Sequence, residues 1–100
     1  MILAEEKKQI EMRDIIENRI AEKFPFAFEI NDKKCFKANQ NTYFIISSLR
    51  WDGDDVILAE YADSEFEARK GLFGEDGDMF YLDEMSENEI IQAIIKEVEQ

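Results

Sequence analysis

The sequence predicts an α+β fold: an N-terminal helix, an antiparallel sheet of about four strands, then a short helix and a longer C-terminal amphipathic helix. Three observations carry this. Apolar residues recur at helical spacing near both ends of the chain. They alternate, with aromatic and β-branched enrichment, through the middle. An Asp-Gly pair separates the two most strand-like runs. A length of 100 residues suits one domain, 1–100.

Residues 2–23 read as the first helix. Met12, Ile16, Ile20 and Phe24 lie four apart and stack on one face, with Ile15 beside them, while most other positions are charged or amide-bearing. Pro25 ends the helix, because the residue before a proline disfavours the helical region. Phe26, Phe28 and Ile30 then alternate with Ala27 and Glu29, as in a strand. Asn31-Asp32 is a turn. Lys33 to Ala38 continues as a second strand, placed at a sheet edge by its three lysines. After the polar Asn39-Gln40-Asn41 loop, Thr42 to Trp51 is the strongest strand. Asp52-Gly53-Asp54-Asp55 turns it back into Val56 to Ala62.

The last third is helical again. Ser64 and Glu67 fit a capping box, and the short helix that follows ends near Gly71, a residue suited to a left-handed cap. Met79 to Leu82 has the composition of a short strand. Ser86 and Glu89 form a second capping box, with Met85 and Ile90 spaced for a hydrophobic staple. Ile90, Ile91, Ile94, Ile95 and Val98 then mark an amphipathic helix that packs on the sheet.

The chain holds 24 acids, 12 bases and no histidine, for a net charge of -12. That balance excludes a sequence-general nucleic-acid binder, which needs a basic footprint. Without histidine there is no Ser-His-Asp or Cys-His site and no imidazole metal ligand. The single cysteine, Cys35, forms no intramolecular disulfide and reads as a packed small residue. The N-terminal apolar run is four residues long and is followed by charge, unlike a signal peptide. No apolar run approaches the roughly 20 residues of a membrane span. A cytoplasmic protein that touches no membrane is expected.

The charge is one-sided. Residues 1–50 hold 8 acids and 9 bases, a net of +1, whereas residues 51–100 hold 16 acids and 3 bases, a net of -13. From Gly71 to Ile95 there are seven acids and no base. Concentrated like charge costs self-repulsion in the folded state, and a basic partner would offset it. Helix-dipole placement accounts locally for Glu65, Glu67, Glu87 and Glu89.

Other chemistry is poorly supported. An EF-hand loop started at Asp52 has Ile57 at its glycine position, and one started at Asp76 has Phe80 where an acid is needed. Asp52, Asp54 and Asp55 would make only a non-standard Ca²⁺ or Mg²⁺ site, and a polar hairpin turn explains them. Gly71, Gly74 and Gly77 match no phosphate-binding spacing. No carboxylate pair stands out among 24 as an acid/base couple. No catalytic residue, cofactor or metal is therefore expected. Trp51 either caps the core or anchors a partner, since interfaces are enriched in tryptophan, and Phe73 has the same two readings. The candidate partner-binding set is Trp51, Asp52, Asp54, Asp55, Phe73, Glu75, Asp76, Asp78, Asp83, Glu84, Glu87 and Glu89.

In size, acidity and lack of catalytic residues the chain resembles small DNA-mimic proteins of phages and mobile elements, among them type II anti-CRISPR proteins. The resemblance implies a non-catalytic inhibitor whose carboxylates stand in for phosphates in the basic groove of a nuclease or other nucleic-acid-binding protein. No motif accompanies it. The same charge logic admits an immunity protein that neutralises a basic toxin nuclease. A small metal-dependent accessory domain is the remaining alternative.

Overall fold

Two helical faces and one continuous meander explain how the chain buries its apolar residues. The computed structural model describes residues 4–74 and 77–99, with side chains from residue 11 onward. Helix α1 spans Ala4–Ala21. Strands β1 (Phe26–Ile30), β2 (Lys33–Lys37), β3 (Tyr43–Trp51) and β4 (Asp54–Ala62) follow, then α2 (Glu65–Arg69), β5 (Asp78–Tyr81) and α3 (Glu87–Val98). The strands form an antiparallel sheet in chain order, β1-β2-β3-β4-β5.

The four-residue spacing on α1 does what it predicts: Ile16, Ile20 and Phe24 are buried, and Met12 packs against them. Ile15 departs from that expectation. It lies 42% exposed, because the 100° helical step carries it off the buried stripe. Helix α3 adds Ile90, Ile91, Ile94 and Val98 to the same core, against Phe36, Phe44, Ile46 and Ile57 of the sheet. Each buried isoleucine contributes about 1.5–3 kcal/mol, so packing outweighs the cap at about 1 kcal/mol. The cap sets where the helix begins: Ser86 Oγ accepts from Glu89 N–H and Glu89 Oε1 accepts from Ser86 N–H.

The opposite sheet face carries a smaller cluster of Cys35, Tyr43, Ile45, Ala62 and Ala68, flanked by Phe28, Ile30 and Phe73. Helix α2 seats Ala68 there, and the Arg69 guanidinium lies 4.3 Å from the centre of the Phe28 ring. Burial pushes the Cys35 thiol up to about 11, opposed by the nearby Arg69 charge, so the cysteine is a packed and unreactive group.

Several sequence expectations are corrected. The lysine-rich strand β2 is interior, because the Asn31-Asp32 turn, with both residues at positive φ, folds β1 back along it. The short strand read at Met79 to Leu82 forms as β5, pairing with β4 from Val56↔Tyr81 to Ala59↔Asp78. A register shift between Phe26 and Phe28 breaks the alternation of β1 and leaves Phe26 52% exposed. The turn between β3 and β4 shrinks to Asp52-Gly53, with Asp54 and Asp55 already in the strand. At α2 only half of the expected capping box forms: Ser64 Oγ accepts from Glu67 N–H at 3.1 Å.

Candidate functional site: the acidic end of the sheet

The β3–β4 hairpin turns on Asp52 (φ 52°) and Gly53 (φ 85°). Both central residues of such a turn need positive φ, which aspartate tolerates and glycine adopts freely. The turn is braced by Arg50, whose Nη2 donates to the Gly53 carbonyl at 2.8 Å and whose Nε lies 3.8 Å from Asp55 Oδ1. It sets the last ladder pair as Trp51↔Asp54, followed by Arg50↔Asp55 and Leu49↔Val56.

Strand β5 brings a second acidic segment to the same end. Leu82 N–H donates to the Asp55 carbonyl at 3.0 Å, and the turn after it is closed by Glu84 and Met85 N–H on the Tyr81 carbonyl. Asp83 and Glu84 are thereby exposed beside the hairpin. The structure thus gathers Trp51, Asp52, Asp54, Asp55, Asp83 and Glu84 at one end of the sheet. Five carboxylates against the Arg50 guanidinium leave a local balance of -4. Among the described residues, Asp52, Asp54, Asp83 and Glu84 accept no side-chain hydrogen bond and join no ion pair. Trp51 is 55% exposed, so it does not cap the core.

The other candidates do different work. Glu75 and Asp76 lie outside the described residues. Asp78 sits at the far end of β5 and accepts from the Tyr61 hydroxyl at 2.9 Å. Burial raises the Tyr61 pKa, and the bond to Asp78 raises it further. Glu87 accepts from Arg19 Nη1 at 2.9 Å, and the same nitrogen also reaches Asn88 Oδ1. Glu89 is occupied by the α3 cap, where the Ser86 N–H holds its carboxyl below the usual range. Phe73 is half-buried on the α2-side cluster, which makes it a core residue.

Two features escaped the sequence reading. The first is a polar cleft of about 310 Å³ between α1 and the β1–β2 edge, lined by Arg13, Glu17, Glu29 and Lys34 among others. Glu17 is buried there, with Arg13 Nε at 3.5 Å. Desolvation raises its pKa, and the Arg13 and Lys34 charges offset only part of that. An Arg-Glu pair four apart on a helix next to buried Ile16 and Ile20 was the available signal, and surface pairs of that kind are common enough to hide it. The second is the sheet face opposite α1 and α3. There Ser47, Leu49, Trp51, Val56, Leu58, Met79 and Tyr81 share one side by strand alternation and register. That grouping depends on which strands are neighbours, and no single segment reveals it.

Among the described residues, no three acids or cysteines converge as a metal cluster would, and no helix is long and apolar enough to cross a membrane. The chain matches no protein-family model, no curated protein and no solved structure, so the functional reading rests on its own geometry.

Proposed function

We propose that the protein acts without catalysis, as an acidic inhibitor that occupies the basic nucleic-acid-binding groove of a nuclease or related protein. The observation that supports this reading is the exposed Trp51 set among Asp52, Asp54, Asp83 and Glu84, none of which has a charged partner among the described residues. Carboxylates held on a hairpin braced by Arg50 and on an adjoining tight turn present negative charge to lysines and arginines that otherwise hold phosphates. The field of a -12 protein draws a basic partner in from a distance and speeds association. The tryptophan adds the short-range apolar contact that long-range charge does not supply.

Affinity capture with the full chain from its source cell, followed by identification of the bound protein, tests the reading. The expected partner is basic, binds DNA or RNA, and is released by excess nucleic acid. Capture of an acidic protein that binds no nucleic acid would contradict it.

A further inference from the structure

We infer that the open part of the sheet face, formed by Leu49, Trp51, Val56, Leu58, Met79 and Tyr81, seats an amphipathic α-helix of the partner whose apolar stripe is flanked by lysine or arginine. This deepens the proposed function and rests on its basic partner.

The face is built by register. Leu49, Val56 and Tyr81 form one row across β3, β4 and β5, and Leu58 and Met79 lie in the next. Helices α1 and α3 pack on the other face. Among the described residues, helix α2 and Phe73 cover the end marked by Tyr43, Ile45 and Ala62. Leu49, Leu58, Met79 and Tyr81 are half-buried around the wholly buried Val56, and Trp51 is 55% exposed at the margin, so the four half-buried side chains form the apolar surface and Trp51 its projecting anchor.

Its dimensions fit a helix. Three strands about 4.8 Å apart make a strip about 10 Å wide, the diameter of a helix with its side chains. The rows from Trp51 to Ser47 span about 14 Å, the length of about nine helical residues. Charge selects the occupant. Asp52 and Asp54 border one end of the strip and Glu60, one row beyond Leu58 on the same face, borders the other. A second copy of this chain would set carboxylates against carboxylates in either orientation, whereas a helix with basic flanks meets opposite charge at both ends.

Trp51 is the only tryptophan, so its emission reports occupancy of the strip. The probe is a synthetic leucine-lysine amphipathic helix of about 15 residues, compared with a scrambled peptide of the same composition. We expect a saturable blue shift with the amphipathic peptide, and at least about tenfold weaker binding by the scrambled one. The same loss is expected for the double variant Leu58→Ser, Met79→Ser. If that variant lost its native circular dichroism, Leu58→Ser alone would be used, with a smaller loss expected. Equal affinity for both peptides, wild-type affinity in the variants, no binding of the amphipathic peptide, or a dimer in sedimentation that shields Trp51 would each overturn the helix seat. Capture of a basic, nucleic-acid-displaced partner would leave the broader reading standing in all those cases.

Discussion

Trp51 stands opposite Asp54 in the last pair of the β3–β4 ladder, so the one tryptophan of the chain shares its row with an exposed carboxylate. An exposed indole beside fixed charge contributes little to folding. Trp51→Ala should therefore change stability by less than about 1 kcal/mol, yet cost about 2 kcal/mol or more in partner binding. Urea unfolding and a binding titration of the same variant separate the two. A large loss of stability would make Trp51 a structural residue.

The Tyr61–Asp78 bond is the reverse case, an interaction that holds the sheet together. It ties β4 to β5 on the helix-covered side with both groups half-buried. Tyr61→Phe should cost about 1.5–3 kcal/mol, the range for hydrogen bonds to charged groups, and leave partner binding unchanged in the folded fraction. The urea midpoint checks it. An unchanged midpoint would show that Asp78 finds water as readily as the tyrosine.

Glu17 gives a pH dependence. Its carboxyl keeps a proton more readily in the folded protein than at its ordinary value of 4.5, because burial outweighs attraction to Arg13 and Lys34. The folded state then binds more protons than the unfolded state, so this group's contribution to stability falls as pH rises from about 4.5 through the raised folded value. Glu17→Gln removes that loss. The variant should match or exceed wild-type melting temperature at pH 7, and the difference should disappear below about pH 4. Destabilisation of the variant at pH 7 that vanishes in acid would mean that the Arg13 pair outweighs burial.

Much of this was legible in the sequence where local chemistry decides the outcome. The isoleucine spacing and the Ser86/Glu89 box place α3, and Asp52-Gly53 places the central hairpin, because each is settled within a few residues. What was not legible depends on neighbours. Lysine content suggested an edge for β2, but edge status depends on whether β1 folds back. Phe73 has two readings in the sequence, core or anchor, and its packing against the small cluster decides between them. The acidic set read from the sequence was larger than the one the fold assembles. A carboxylate's availability turns on whether a tyrosine, an arginine or a helix N-terminus reaches it first, as happens to Asp78, Glu87 and Glu89.

In the proposed function the acidic hairpin end, rather than acidity in general, recognises the partner. Reversing Asp52, Asp54 and Glu84 to lysine changes the charge there by +6, from -3 to +3. Reversing Glu22, Glu29 and Glu97, all exposed and outside that end, makes the same +6 change and leaves net charge identical. Each charge acts over about 8 Å at physiological salt, so position should matter more than total. The direct measurement is the affinity of both triple variants for the captured partner at physiological salt, with folding checked by circular dichroism. At least about a hundredfold loss is expected for the hairpin variant, equivalent to about 2.7 kcal/mol, and less than about a tenfold loss for the other. Equal losses in the two variants, or wild-type affinity in the hairpin variant, would contradict that reading.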